Sequence, residues 1–237
     1  MIPLRTIAYR KVVSLTQAIA PEMPCWPGDP PLELETVAEL GREGYGLRRF
    51  ALGEHSGTHV NAPNSFLANG AAIDAPAADH WVVPAIVLDG RDRAAADPDW
   101  QVTVEDLEAW EAQHGTIPPD HLVILWTGWQ DRWGDGAAFL NADGDDILHF
   151  PGFSEEAVAW LLGDRAIAGL GTDTHGIDPG TSTTYGANRQ ILAAGGRVVE
   201  CLTRLDQLPP VGATLVIGVL PLVGGTGSPA SVLAFVP

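Results

Sequence analysis

The sequence predicts one mixed α/β domain in which helices cover a central sheet. The chain has 237 residues, which at about 150 residues per domain favours a single domain of good size. Short β-like runs open the chain, and apolar runs alternate with helical patterns after them. Neither a repeat of about 20 to 50 residues nor a Ser/Gly linker divides the sequence, so we assign residues 1–237 to one domain.

The first quarter of the chain predicts antiparallel strands. Proline and glycine turns, PCWPGDPP and GREGYG, separate three β-like runs between Val12 and Thr58, which are KVVSL, LELETVAEL and GLRRFALG. This pattern is typical of hairpins. We therefore expect a meander at the start of the fold.

The middle of the chain predicts strands that alternate with helices. The order is strand, helix, strand, helix, strand, in the segments VVPAIVLDG, TVEDLEAWEAQHG, HLVILWTGW, SEEAVAWLLGD and AIAGLGTDT. Thr103, with Asp106 three residues later, and Ser154, with two glutamates after it, are typical helix N-caps. Gly115 and Gly163 lie where the two helices are expected to end.

The last third of the chain predicts one more helix and two more strands. The helix is ANRQILAAGG, and the strands are RVVECL and ATLVIGVLPLVG. The second strand is apolar at consecutive positions, so we expect it to be buried on both faces.

Composition excludes several classes of function. Thirteen basic residues against thirty acidic ones give a net charge of −17, which disfavours binding to nucleic acid or to anionic membranes. Lys11 is the single lysine, so the chain has almost no side-chain amine that could form a Schiff base. The basic start lacks an apolar signal-peptide core, and two distant cysteines form neither a disulfide framework nor a thiolate metal site. We expect a cytoplasmic protein that acts on a small molecule.

The closest histidine pair is His55 and His59, in GEHSGTHVNAPNSF. Gly57 and Pro63 indicate a strand or bent loop rather than a helix. Residues four apart in a straight strand are separated by about 13 Å, so the pair can share a metal ion only if the chain bends at Gly57. Asn61 would then offer a neutral oxygen on the side of His59. The spacing is equally compatible with two ordinary histidines.

This segment resembles a known family signature. HSGTHVNAP followed by Phe66 is similar to the H-x-G-T-H-x-D-x-P-x-H-F motif of the cyclase superfamily, which includes bacterial kynurenine formamidases and isatin hydrolases. Further segments match in order, namely MPCWPGDPP, LVILWTGW, FPGFSEEAVAWL, GLGTDTHGID, NRQILAAGGRVVECLTRLDQLP and GGTGSPASVLAF. The resemblance implies a swivelling β/β/α domain, a homodimer or homotetramer, and a divalent metal site that hydrolyses a cyclic or linear amide.

The resemblance also implies which residues form the site. In the family, two histidines and an aspartate of the motif bind metal, a later histidine and a glutamate complete a second metal position, and the last motif histidine acts near the substrate. The matching residues here are, in that order, His55, His59, Asn61, Asn188, Glu200 and Ser65. Three of these six positions have therefore lost an ionisable group.

The losses predict a simpler metal site. An amide oxygen contributes no charge, so Asn61 and Asn188 should not support two cations. We expect one divalent ion, Zn or Mn, held by His55, His59 and Glu200 with help from Asn61. Such an ion would polarise a carbonyl and lower the pKa of bound water.

Ser65 stands where the family has its last motif histidine, so the motif itself offers no side chain for proton transfer here. His175 and Asp173 lie two residues apart in GTDTHGID, so they share one side of a strand end, where the carboxylate could orient the imidazole. We expect His175, with Asp173 and Glu200, to carry acid–base catalysis, or His175 to be a fourth metal ligand. The alternative is a histidine that only bonds backbone carbonyls.

Three residues are expected to contact the substrate. Trp26 is a candidate pocket wall for a flat substrate, although a tryptophan that packs in a turn is an equal alternative. Thr58 is a candidate for steadying the oxyanion. Ser65 takes the place of the family's substrate-side histidine.

The sequence as a whole predicts a hydrolase of a cyclic or formyl amide, or of a lactone, that uses water activated by one divalent ion. Two alternatives stay open. One is a metal-independent acid–base enzyme, such as a dehydratase, cyclase or isomerase, on the same fold. The other is a non-catalytic protein that binds a ligand.

Overall fold

The structure is a computed structural model, and it describes residues 6–237. Its strands are β1 Lys11–Ser14, β2 Glu33–Ala38, β3 Leu47–Ala51, β4 His59–Asn61, β5 Val82–Asp89, β6 Gln101–Val102, β7 Leu122–Trp126, β8 Gly152–Phe153, β9 Gly169–Thr172, β10 Arg197–Glu200, β11 Val211–Val219 and β12 Gly227–Val236. Its α-helices are α1 Leu40–Glu43, α2 Arg91–Ala96, α3 Val104–His114, α4 Gly136–Leu140, α5 Glu155–Arg165 and α6 Gly186–Ala193.

The main sheet closes on itself. Its strand order is β1, β12, β11, β5, β7, β9, β10, β4, and β4 also pairs with β12. The pairs β5–β7, β7–β9 and β9–β10 are parallel, whereas β4, β11 and β12 pair antiparallel with their neighbours. Short β4 therefore joins the two edges of the sheet, with β10 on one side and β12 on the other.

Helices connect the parallel strands and cover one face of the sheet. α3 lies between β5 and β7 in the chain, α5 between β7 and β9, and α6 between β9 and β10. Side chains alternate along a strand, so β5 and β7 each contribute to two hydrophobic clusters. Val83, Ala85, Leu122 and Ile124 belong to the cluster among the strands. The residues of the same two strands that belong to the cluster with the helices are Ile86, Leu88, Val123 and Leu125. The predicted mixed α/β class with a central sheet and flanking helices is confirmed.

The predicted helix starts are also found. Thr103 forms a capping box with Asp106 at the start of α3, and Ser154 accepts a hydrogen bond from the backbone of Ala157 at the start of α5. Gly115 ends α3. Gly163 does not end α5, which continues to Arg165 and stops at Ala166 in the left-handed conformation.

Two further expectations differ from the structure. The opening strands do not form a meander, because β1 joins β12 at the far end of the chain, while β2 and β3 pair with each other as a separate hairpin. The strand β11 alternates between buried and more exposed residues, so its two faces are not equally buried. The run of consecutive apolar residues therefore predicted more burial for β11 than the structure shows.

The β2–β3 hairpin is an exposed ribbon. Of its eleven strand residues, all but Ala38 are exposed. Glu35 and Arg49 face each other across it as an ion pair of 3.0 Å. Within residues 6–237, helices long and apolar enough to cross a membrane are not found.

Candidate active site

The register of the sheet brings the site together. His59 on β4 is the direct partner of Glu200 on β10. β9 and β10 are parallel neighbours, so the segment that follows β9, residues 173–178, lies at the same sheet edge as Glu200. Residues far apart in the chain therefore meet at one place.

His59 and Glu200 form a buried pair at the centre of this edge. The Nε2 atom of His59 lies 3.0 Å from Oε2 of Glu200, and both side chains are almost completely buried. The Nδ1 atom of His59 donates to the carbonyl oxygen of Gly57 at 2.8 Å. The Nε2 atom and the carboxylate would otherwise both be acceptors, so the pair shares one proton.

The electrostatics of Glu200 agree with this pairing. Burial raises the pKa of the carboxyl group, but the hydrogen bond and the charge of His59 outweigh burial, so the pKa of Glu200 lies below its ordinary value. Glu200 also accepts from the backbone N–H of Ile177 at 3.1 Å.

His55 is turned toward the opposite side of the site. Its Nδ1 atom lies 2.8 Å from Oδ1 of Asn61, and its Nε2 atom lies 3.1 Å from Oγ1 of Thr226. The ring packs on Gly227, where an added Cβ would lie only 2.6 Å from Cε1 of His55. Both ring nitrogens of His55 are thus used by neighbouring side chains, and burial lowers its pKa.

The two asparagines at altered motif positions contact each other. Asn61 donates from Nδ2 to Oδ1 of Asn188 at 3.1 Å, and Asn188 donates to Oδ2 of Asp178 at 2.9 Å. Asp178 is buried, which raises its pKa. It also accepts the backbone N–H groups of Ala187 and Asn188 near the start of α6.

These side chains line a pocket of about 280 Å³ with aromatic walls. The pocket brings together seven of the nine predicted site residues: Trp26, His55, His59, Asn61, Ser65, His175 and Glu200. Trp26 meets the His175 ring edge-on at 5.3 Å between ring centres. Further walls are Phe66, Phe150 and Tyr185.

His175 lines the pocket, and its unpartnered ring nitrogen is itself buried. Its side chain is 95% buried by its neighbours (5% exposed), and within residues 6–237 its Nδ1 atom has no hydrogen-bond partner. Burial and the nearby charge of His59 lower the pKa of His175 to about 4. The imidazole is therefore neutral at physiological pH, with one donor and one acceptor nitrogen.

Asp173 does not take the place that the sequence predicts. Its carboxylate accepts hydrogen bonds from the backbone and hydroxyl of Thr127 at 2.9 and 2.7 Å and from the backbone of Gln130 at 3.2 Å. Burial raises its pKa to about 6. Asp173 thus anchors the turn after β7 instead of orienting His175, because the chain turns sharply between these two residues.

Thr58 also has a structural role. Its hydroxyl donates to the carbonyl of Cys201 at 2.7 Å and accepts from the backbone of Gln17 at 2.9 Å. The single proton of the hydroxyl is already donated inside the protein, so Thr58 is a poor candidate for holding an oxyanion. Ser65, in contrast, does border the pocket, and its hydroxyl donates to the carbonyl of Ala62.

The predicted metal ligands do not form a three-ligand centre. His59 and Glu200 offer adjacent donor atoms, but His55 and the oxygen of Asn61 are bonded to each other. Among residues 6–237, His, Cys, Asp and Glu side chains do not form a group of three that could hold an ion. Catalytic zinc sites use about three protein ligands, so the arrangement does not fit the predicted centre.

Sequence reasoning missed several residues of the pocket, among them Phe150, Tyr185 and Asp178. Phe150 and Tyr185 form walls, and a single aromatic residue in a loop gives no pattern that marks it as a wall. The sequence could have indicated Asp178, because this residue belongs to the GTDTHGID segment that resembles the family. Its link to Asn188 depends on tertiary contacts, however, and spacing alone does not reveal it.

Comparisons with known proteins identify the family of the chain. The Putative cyclase family model matches residues 13–179, which is well over half of the chain. The chain belongs to the cyclase family. An isatin hydrolase of Roseibium aggregatum is 34% identical to this cyclase-family chain, with 96% of this chain and 92% of the relative covered.

One solved structure and a second relative are also similar to the chain. Isatin hydrolase A from Ralstonia solanacearum is 37% identical to this cyclase-family chain and superposes with a TM-score of 0.91, with 96% of this chain and 92% of that chain covered. A kynurenine formamidase of Erythrobacter litoralis is 25% identical over 85% of this chain and 83% of its own. These relatives place the chain among hydrolases that act on C–N bonds, as the sequence predicted.

Proposed function

We propose that this protein hydrolyses a small, flat cyclic or formyl amide, or a lactone, in the pocket at the ends of β9 and β10. The observation that carries the proposal is the buried His59–Glu200 pair, which holds a proton beside the unpartnered imidazole of His175. The names of the relatives support the C–N bond as the target.

The pocket walls support a flat substrate. Trp26, Phe66, Phe150 and Tyr185 present aromatic surfaces around a space of about 280 Å³. A planar ring can stack on such surfaces, and each aromatic contact contributes about 0.5 to 1.5 kcal/mol beyond buried area. A small bicyclic molecule therefore suits the pocket better than a peptide.

The residues divide the proton transfers between them. The oxygen of a water molecule attacks the carbonyl carbon, and His175 accepts the proton that the water loses. The proton shared by His59 and Glu200 passes to the leaving nitrogen or oxygen as its bond to the carbonyl carbon breaks. Protons then return through solvent, and the pair and His175 regain their starting states.

The low pKa of His175 limits the range of substrates. A base with a pKa of about 4 removes a proton from water only with a reactive carbonyl nearby. Strained cyclic amides, formyl amides and lactones have such carbonyls, whereas ordinary peptide amides do not. This supports the predicted substrate class.

Turnover of small molecules tests the proposal. Isatin, an N-formyl arylamine and a bicyclic lactone would be incubated with the wild type and with H59A, E200Q and H175A. We expect at least one substrate to be hydrolysed, with a loss of about 100-fold or more in each variant. D29N is the matched control, because Asp29 is an exposed carboxylate at the pocket. Equal rates in H175A and the wild type would remove His175 from the mechanism.

The metal question needs its own measurement. The steps above use only groups of the chain, so we expect hydrolysis to survive treatment with a chelator and elemental analysis to find far less than one Zn or Mn per chain. One equivalent of metal in the wild type, lost in H59A together with activity, would instead support the single-ion mechanism that the sequence predicts. N61D serves as the comparison, because a carboxylate restores a charged donor at that position.

We also propose that the protein works as a homo-oligomer through the β2–β3 hairpin. A two-stranded ribbon is marginal by itself in water, and this one exposes large apolar side chains at its strands and turn. They are Leu34, Val37, Leu40, Tyr45, Leu47 and Phe50. The ribbon of a second copy, related by a twofold axis, would cover the same face of each chain.

Mass measurement in solution tests this proposal. Light scattering coupled to gel filtration should give at least twice the chain mass of 25.1 kDa. F50E should shift the protein toward the monomer, whereas V223E, at an apolar residue outside the ribbon that is 92% exposed, should not. A wild-type monomer would contradict the proposal.

A further inference from the structure

We propose that a second cavity, at the opposite end of β10 from Glu200, binds a small aromatic carboxylate through Arg197, His80 and Trp81. We call it the Arg197 cavity. Its volume is about 290 Å³, close to the volume of about 280 Å³ of the candidate active site. Most of its wall is small and apolar, and it consists of alanine, proline and glycine residues around these three side chains.

Two backbone carbonyls hold the guanidinium of Arg197 in place at this wall. Its Nε atom donates to the carbonyl oxygen of His80, and its Nη1 atom donates to that of Ala168 at 3.0 Å. A guanidinium carries more N–H groups than these two bonds use, and within residues 6–237 the Nη2 group has no protein acceptor. A ligand that accepts from Arg197 therefore meets donors that are already oriented, which lowers the entropic cost of binding.

The charge of Arg197 is not neutralised by an ion pair in the described part of the chain, although the protein has 30 acidic residues. Arg91 and Arg165, in contrast, each form one. The charges of Asp79 and Asp120 reach Arg197 from a distance, but burial outweighs them and lowers the pKa of the guanidinium. Since arginine stays protonated in proteins, Arg197 is a half-buried cation that an anion can approach.

His80 and Trp81 complete the recognition surface. Burial and the nearby charge of Arg197 lower the pKa of His80 to about 4, so its ring is neutral at physiological pH and has one N–H donor. The ring of Trp81 meets that of His80 edge-on at 4.8 Å between ring centres. A carboxylate can thus accept from Arg197 and His80 while a flat ring attached to it packs against Trp81.

The lining distinguishes the ligand class. Arg197 is the one charged side chain among the residues described around this cavity, so a monoanion with an apolar body suits it better than a phosphate of higher charge. The candidate active site has carboxylates in its wall instead, at Asp29, Asp178 and Glu200. Opening of a cyclic amide or a lactone produces a carboxylate, so the product of the hydrolysis belongs to this ligand class; this link alone rests on the proposed function.

Fluorine NMR of protein labelled with fluorotryptophan tests the site, with benzoate as the probe. W81F identifies the signal of Trp81, and W26F identifies that of Trp26 in the active-site pocket. We expect benzoate to shift the Trp81 signal saturably. Benzamide has the same shape without the charge and should leave this signal unchanged at the same concentrations. A benzoate shift confined to Trp26, or an equal response of Trp81 to benzamide, would overturn the proposal.

Substitutions separate the charge of Arg197 from the shape of the cavity. R197Q should weaken benzoate binding about tenfold or more, because the carboxylate loses its charge-assisted hydrogen bonds. R204Q is the matched control and should bind benzoate like the wild type, because Arg204 is exposed, lies outside the cavity and also donates to a backbone carbonyl.

A72F keeps Arg197 but places a ring inside the cavity, so it should weaken benzoate binding as strongly. This variant decides the question if R197Q does not fold. An unchanged affinity for benzoate in folded R197Q or in A72F contradicts the proposal. The titrations need no turnover, so their failure is independent of any failure of the proposed hydrolysis.

Discussion

Replacement of Asp173 by alanine separates its two candidate roles. The variant D173A would leave the backbone N–H groups of Thr127 and Gln130 and the hydroxyl of Thr127 without their buried acceptor. Each unsatisfied buried group costs about 1 to 3 kcal/mol. Against this, the substitution removes a buried carboxylate whose raised pKa of about 6, against 3.8 in the unfolded chain, costs about 3 kcal/mol when ionised. We expect a net loss of about 3 kcal/mol at pH 7.

The loss of unfolding free energy in D173A should depend on pH. The pKa of Asp173 is raised in the folded state, so its contribution to stability is complete below about pH 4 and is lost as the pH rises through about 6. The difference in unfolding free energy between the wild type and D173A should therefore be about 1 kcal/mol larger at pH 5 than at pH 8.

Urea unfolding followed by tryptophan fluorescence at the two pH values measures both quantities. D29A, at an exposed carboxylate of the pocket, is the control and should change stability by less than about 0.5 kcal/mol. A fully stable D173A with strongly reduced turnover would refute our interpretation and return Asp173 to the catalytic role that the sequence predicts.

Three other substitutions test the packing, a surface cluster and a helix cap. G169A places a Cβ 2.4 Å from a backbone oxygen of the neighbouring strand, so the melting temperature should fall by about 4 °C or more, and a smaller change would contradict the close approach. Asp99 and Asp143 raise the pKa of His149 by hydrogen bonding. The stabilising effect of His149 should therefore be complete below about pH 6.5 and disappear as the pH rises through the raised pKa. In H149Q, the melting temperature measured by thermal unfolding should change less over this pH range. S154A should lower the unfolding free energy by about 1 kcal/mol without reducing turnover.

Local patterns predict the elements of this fold well. The capping box at Thr103 and the cap at Ser154 lie within four residues of the groups that they bond, so the sequence contains the whole interaction. The pairing of β1 with β12 joins residues more than 200 positions apart, and no local signal specifies it. The expected meander therefore failed where long-range pairing decided the topology.

The residues of the candidate site could also be predicted from the sequence, whereas their contacts could not. His55, His59 and Glu200 could be named from a motif, because their identities are fixed by family resemblance. Their hydrogen bonds could not, because a rotation of one ring decides whether His55 faces His59 or Asn61. Asp173 shows the limit most clearly, since a sharp turn separates two side chains that an extended strand would place together.

The closure of the sheet by β4 also sets the order in which the site can be built. Residues 59–61 pair with residues 227–229, about 170 positions later in the chain, as well as with β10. During synthesis the first histidines leave the ribosome long before the strand that holds them in place, and contacts of such long range form slowly. We expect the sheet edge that carries His59 and Glu200 to be among the last parts of the molecule to become ordered, since a nascent chain that lacks β12 would carry the motif without the strand that holds it in place.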